Sequence, residues 1–384
     1  MLTLLAQEAR AVLRNKGAAL LILFGIPIVY TVLFGFLYSA NVVKNIPLVV
    51  FDQDQTSTSR TLVQAFADSE RYSIIAQVTT QYDLDECMKN KNAMAALVIP
   101  ENFSRDIKLS HATTVLMETN ATNLMFANNV VSTSQEIVQT VSAAIGQRLV
   151  EGLNLPPAQA LKIAAPVRLS VRVTSNPTAS YSNFVLPGLA LNGVQLAIFL
   201  VSCTLLTSEY SLLARRRDVS AASILLAKLI PCWIVSVLSF LVCIGLSGSL
   251  FGVPFRGSLV QLVLISGAFN FAIASLGLFI SAAAPNVLSA MQNTAIYIMS
   301  AFLCCGYSWP IFAMNTAGKA YSVILPLTYA AIPIRDILLA AYTPELAKNT
   351  LILLAIGASF FGLAIAVFSL RRKKMPAEVE EGLA

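Results

Sequence analysis

The chain has 384 residues and a formal net charge of +6; 56% of it is hydrophobic and only 12% charged, with a mean hydropathy of +0.71. Soluble domains carry about 25% charged residues, so this composition excludes an ordinary water-soluble protein and points to a chain that crosses a membrane several times. The basic residues lie beside apolar spans, a topology signal that argues against a nucleic-acid surface. The six cysteines form no C-x-x-C pair or disulfide ladder.

In residues 1–17, Leu2, Leu5, Ala9, Val12 and Leu13 share one helical face opposite Gln7, Arg10 and Arg14. This pattern predicts an amphipathic elbow helix on the cytoplasmic membrane surface. Residues 18–39, "AALLILFGIPIVYTVLFGFLYS", carry no charge and form the first predicted span. The run exceeds the 7–15 residues of a signal-peptide core, and Tyr38 makes a poor cleavage site.

Residues 40–181 are mixed in character. Strand-like runs fall at Ile46–Phe51, Tyr72–Val78, Met94–Ile99, Thr113–Met117 and Val167–Val173. Helix-like runs fall at Ser59–Ser69, Tyr82–Lys91 and Leu124–Val150. This alternation predicts a compact α/β domain inserted between the first and second spans, on the external side. Asp52 and Asp54 read more readily as a strand end and helix cap than as a metal or catalytic pair, and the lone His111 has no cluster around it.

Residues 182–370 hold the remaining spans: Asn183–Thr207, Leu229–Phe251, two within the charge-free Gly257–Gly318 stretch broken near Ala284-Pro285-Asn286, and Asn349–Leu370. Tyr321–Tyr342 is long enough to cross, but it contains Pro326, Pro333, Arg335 and Asp336. With six spans, Arg10, Arg14, Lys16, Arg215–Arg217, Lys228 and the Arg371–Lys374 cluster all fall on one side; a seventh span would put the last cluster opposite the rest. The expected fold is therefore a polytopic α-helical membrane protein with six transmembrane helices. Residues 306–345 are an external re-entrant segment, residues 371–384 a cytoplasmic tail, and both termini are cytoplasmic.

Several motifs recur in order. "NIPLVVFDQDQTSTSRTLVQAF" has Asn-x-Pro, an apolar strand, Asp-x-Asp and Ser-Arg; "AALVIPENFSRDI" has a strand ending in Ile-Pro before Phe; "METNATNLMFANNV", "SNFVLPGLALNGVQ" and "ILPLTYAAIPIRDILL" follow. Together, over nearly the whole chain, they resemble the ABC type-2 transporter permease family, in its drug-efflux-like exporter branch with a large external domain. One departure is that the loop "SEYSLLARRRDVSAASILLAKLIP" lacks the Gly-Thr often found there.

The resemblance implies a permease subunit of the bacterial inner membrane, driven by a separate ABC ATPase chain. It also implies a second permease copy or sister permease and, in two-membrane envelopes, a periplasmic adaptor (membrane fusion) protein. In the family the elbow helix, here with Arg10 and Arg14, touches the ATPase. The loop 208–228, with Glu209, Arg215, Arg216, Arg217 and Lys228, is the corresponding coupling element; these cations equally fit topology setting or contact with membrane lipid. No G-x-x-x-x-G-K-[ST] phosphate loop and no G-x-S-x-G elbow occurs. No catalytic residue, cofactor or metal is therefore expected.

Within the spans, Asn192, Gln195, Asn270, Gln292, Asn293 and Tyr297 either tie helices together or line a translocation path. Arg335 and Asp336 either sit at a headgroup rim or act as an outer gate. The spans lack intramembrane acids, which speaks against a proton-coupled carrier, and the uncharged interior suits an amphipathic or hydrophobic substrate. A surface receptor or scaffold with an external binding domain, and a secondary efflux carrier, remain as alternatives.

Overall fold

The computed structural model describes residues 17–39, 43–90, 92–109, 111, 113–119, 124–151, 175–178, 180–208 and 219–381. The chain divides into two compact units: Met1–Asn41 with Val173–Ala384, and Val42–Arg172. The first described element of the first unit is α1 (Gly17–Leu37), whose Leu21, Val29, Leu33 and Phe36 are exposed.

The second unit is an α/β layer structure. Its elements are β1 (Ile46–Asp52), α2 (Ser57–Ala67), β2 (Tyr72–Gln77), α3 (Gln81–Lys89), β3 (Ala95–Ile99), α4 (Phe103–Lys108), β4 (Leu116–Thr119) and α5 (Leu124–Glu151). The sheet order is β2-β1-β3-β4; β1 runs parallel to β2 and β3, and β4 runs antiparallel to β3. Strand β1 is central and buried on both faces, so its sequence is a continuous apolar run. Ile46, Leu48 and Val50 pack with Leu62 and Phe66 of α2 and Val130 of α5. Val49 and Phe51 point the other way, against Leu84 of α3.

The acids after β1 are structural. Asp52 Oδ1 accepts from the backbone of Asp54 and Gln55, and Asp52 Oδ2 accepts from Ser59 Oγ at 2.7 Å. The cap of α2 is Thr56, in a reciprocal box with Ser59. Strand β4 lies at Leu116–Thr119, somewhat later than the expected Thr113–Met117. The short α4 inside the "ENFSRDI" motif was not expected. The expected strand Val167–Val173 and the elbow helix lie outside the described residues.

The rest of the first unit comprises α6 (Tyr181–Ser202), α7 (Ala221–Phe251), α8 (Leu259–Ala283), α9 (Val287–Cys304), α10 (Thr316–Ile324), α11 (Pro326–Ala340) and α12 (Leu346–Glu381). Among the described residues, six helices are long and apolar enough to cross a membrane: α1, α6, α7, α8, α9 and α12. Helices α10 and α11 are bent by 85° at Leu325; taken together as one broken span they would make a seventh. At 15 residues α11 reaches only about 22 Å, short of a hydrocarbon core of about 30 Å.

Helix α6 is buried along nearly its whole length, whereas α9 and α12 expose Leu288, Ile296, Leu303, Leu351, Leu363 and Leu370. Two boundaries differ from expectation. Ser220 caps α7 by accepting from Ser223, so the helix starts at Ala221 and already contains Lys228. Helix α12 continues through the basic cluster, so the expected tail from 371 is helical to Glu381.

Candidate functional site

Helix α6 carries Pro187, which has no N–H and weakens its first turns. Here the hydroxyl of Tyr307 enters the helix. It accepts from the Gly188 N–H at 3.0 Å and donates to the Phe184 carbonyl at 2.5 Å, the two groups that an uninterrupted helix would pair with each other. A Cβ on Gly188 would lie 2.4 Å from the Tyr307 ring, so this approach requires glycine. The Arg335 guanidinium stacks on both aromatic rings, 4.9 Å from the Phe184 centroid and 4.7 Å from that of Tyr307. Such contacts contribute about 0.5–2 kcal/mol.

The Pro-Gly motif and the Ile-Arg-Asp motif thus converge through a tyrosine that the sequence reading passed over. Asp336 is the next residue on α11, where neighbours in sequence do not face each other. Among the described residues it makes no ion pair.

A second convergence lies deeper. Ser202 of α6 crosses Gly277 of α8 so closely that a Cβ there would sit 1.8 Å from Ser202 Oγ. Ser281 Oγ accepts from the backbone of Leu206 at 3.0 Å and Thr207 at 3.2 Å. Both helices also begin against α11, Phe184 beneath Arg335 and Gly257 against the carbonyl of Ile337, so they run in the same direction. Two turns before Ser202 and Gly277 come Gln195 and Asn270, at matching depth.

Both amides are 0% exposed, and none of their side-chain nitrogens or oxygens finds a partner among the described residues. Asn192, a turn higher on α6, donates to the Tyr30 hydroxyl at 3.2 Å but leaves its Oδ1 unpaired. The Tyr297 hydroxyl is likewise unpaired, its ring 5.0 Å from Phe199. Leaving a buried polar group unpaired costs about 1–3 kcal/mol. Asn192 thus ties α6 to α1 by one hydrogen bond, whereas Gln195 and Asn270 make no such fastening among the described residues.

Gln292 and Asn293 are not among these buried groups. They lie on an exposed face of α9, where amides against lipid are unfavourable.

At the other end of the bundle, Arg371 donates to the carbonyls of Ala282 and Ala284 at 2.7 and 2.8 Å, closing the C-terminus of α8 with a cation where the helix dipole favours one. Arg372 donates to the Val219 carbonyl at 2.8 Å, two residues before α7 begins. Lys228, grouped with that loop in the sequence, is 2% exposed inside α7, so in this chain it presents no surface to a partner. Arg10, Arg14, Glu209, Arg215, Arg216 and Arg217 lie outside the described residues.

In the α/β unit, an open groove of about 580 Å³ runs between α2 and α5, with Arg60, Gln64 and Asp68 on one wall and Val141 and Ile145 on the other.

The family described as ABC-2 family transporter protein matches residues 18–366, covering nearly all of both units. Over 384 aligned residues the chain is 26% identical to the probable multidrug ABC transporter permease YbhS of Escherichia coli (strain K12), with 94% of each chain covered. It is 22% identical over 380 residues to the probable multidrug ABC transporter permease YbhR of the same organism, covering 97% of this chain and 98% of that one.

Proposed function

From the premise that the chain belongs to the ABC-2 transporter family, as a membrane-spanning permease, we propose that it exports an amphipathic or hydrophobic substrate from the cytoplasm or inner leaflet across the bacterial inner membrane. The carrying observation is that the family match takes in the first five candidate spans, most of the sixth and the α/β unit, while no phosphate loop occurs anywhere in the sequence. Force must then come from an ABC ATPase on a separate chain, and the permease works with a second copy or sister permease. The multidrug wording of its relatives supports a broad amphipathic substrate class.

In this reading both termini are cytoplasmic, the α/β unit is external, and the α10–α11 hairpin is re-entrant from the outside. The elbow helix with Arg10 and Arg14, and the loop bearing Glu209 and Arg215–Arg217, meet the ATPase. Asn192, Gln195, Asn270 and Tyr297 line the path with polar groups left open for water or cargo. Gln292 and Asn293 face the second permease. The Arg335 clamp stands at the outer exit, where the stacked guanidinium holds α6, the 305–310 loop and α11 together. The α2–α5 groove offers a surface to an adaptor protein or the emerging cargo.

The test is co-expression with a candidate ABC ATPase, co-purification, and reconstitution into proteoliposomes with a fluorescent amphipathic dye. Dye movement that needs both chains and ATP supports the proposal. Movement driven by a proton gradient without the ATPase makes the chain a secondary carrier, and an absence of any movement with a stable external ligand makes it a receptor.

A further inference from the structure

At the end of the bundle remote from Arg371, a groove of about 320 Å³ opens between the last turns of α7 and the start of α8. Its floor is Gly245 and Gly248, one turn apart on α7; Leu241 and Ile244 extend it inward, and Phe255 and Leu259 flank it. Every lining residue is apolar or glycine. A Cβ built on Gly245 meets nothing within 4 Å, so a larger side chain there would project into the open slot.

One residue beyond Phe255, Arg256 is held in place. Its backbone N–H donates to Leu338 O at 3.0 Å, and its Nη1 donates to Ser175 O and Leu339 O at 3.0 and 2.9 Å. The residue is nonetheless exposed. A guanidinium has five N–H donors, so donors remain after these bonds, fixed at the rim of an apolar slot. No carboxylate lines the slot to compete for them.

We propose that this groove holds one acyl chain of a bilayer phospholipid, with the lipid phosphate at Arg256. The parts match the two halves of such a molecule. The slot lies along the terminal turns of two candidate spans, where a lipid tail begins, and the anchored cation lies where the span ends and the headgroup layer starts. On the orientation proposed above, the lipid belongs to the outer leaflet. A second permease copy is the lesser fit, because the groove supplies no acid to pair with the anchored cation, whereas a lipid phosphate brings that counter-charge with it.

The test is native mass spectrometry of the full chain in detergent, titrated with dioleoyl phosphatidylglycerol and, separately, with dioleoylglycerol, which lacks the phosphate. We expect one tightly held phosphatidylglycerol on the unmodified chain and binding weaker by roughly tenfold for dioleoylglycerol. Gly245→Leu, which fills the slot, lowers phosphatidylglycerol affinity by roughly tenfold or more, and Gly245→Ala gives a smaller loss. Gly362→Leu, at an α12 glycine that also has nothing within 4 Å of its Cβ, leaves binding unchanged. Arg256→Gln narrows the difference between the two lipids. Melting temperatures of each variant separate lost binding from lost folding. Equal binding by Gly245→Leu and the unmodified chain overturns the proposal, as does equal binding of the two lipids. Loss of a copy-to-copy complex in Gly245→Leu with lipid binding intact also overturns it and makes the groove a protein interface.

Discussion

The hydroxyl of Tyr307 takes the place of a backbone hydrogen bond between Gly188 and Phe184, accepting from one at 3.0 Å and donating to the other at 2.5 Å. The pair is matched in size, since Gly188 has no side chain and the ring fills the space one would occupy. Gly188→Ala should therefore lower stability by about 1–3 kcal/mol through overpacking. Tyr307→Phe should cost only about 1 kcal/mol, because the freed N–H and carbonyl can then pair with each other. Thermal melts of the purified variants in detergent decide this, and equal melting temperatures for Gly188→Ala and the unmodified chain would contradict it.

The unpaired amides of Gln195 and Asn270 separate two roles. If they serve passage, Gln195→Leu and Asn270→Leu should leave stability equal or higher by about 1–2 kcal/mol, because an unsatisfied buried group has been removed, while ATP-driven dye efflux falls. If they bonded helix to helix, stability and transport would fall together. Paired melting and transport measurements on the same preparations distinguish the outcomes.

The crossing of α6 and α8 leaves no room at Gly277, where Ser202 Oγ would lie 1.8 Å from a new Cβ. Gly277→Ala should destabilise by about 1–3 kcal/mol. Ser202→Gly, itself mildly destabilising in a helix by about 1 kcal/mol, should recover part of that loss in the double variant. The expected result is a favourable coupling energy of about 1 kcal/mol or more in a double-mutant cycle. Strict additivity would mean that the helices separate rather than press together.

In the α/β unit, the Tyr72 hydroxyl donates to the Val130 carbonyl at 2.9 Å and shares a 2.8 Å hydrogen bond with Ser134. Burial raises its phenol above the usual 10.0, against smaller opposing effects of Ser134 and Arg71. The folded chain therefore holds this proton more tightly than the unfolded chain does. The stability so contributed is complete below the unfolded value and is lost as pH rises through the higher folded one. Tyr72→Phe should cost about 1–2 kcal/mol at neutral pH and should flatten the fall in melting temperature between about pH 9 and 11. An unchanged alkaline slope would exclude Tyr72 as its source.

Much of the architecture was legible because the two solvents impose different patterns. Water beside the sheet requires alternating or doubly buried strands, so Ile46–Phe51 and Met94–Ile99 stood out. Lipid requires uninterrupted apolar length, so α1, α6, α7, α8, α9 and α12 did as well. Contacts that depend on what a residue lacks were not legible. Gly188, Gly245 and Gly277 look alike in sequence, yet one admits a tyrosine, one borders a slot and one admits a serine. Tyr307 lies in a short loop without periodicity, and nothing near it in the chain announces that its hydroxyl belongs to α6. The helical continuation of α12 past its apolar stretch was not legible for a related reason: a run of cations marks the end of a span, and only the fold shows Arg371 and Arg372 bonding to neighbouring carbonyls while the helix runs on to Glu381.

Those two arginines have a mechanical consequence. Adjacent on one helix, they grip the closing turn of α8 and the backbone at Val219, segments remote from each other along the sequence. Displacing Val219 must therefore either break the Arg372 bond or draw α12 along with it, and α12 is tied in turn to the end of α8.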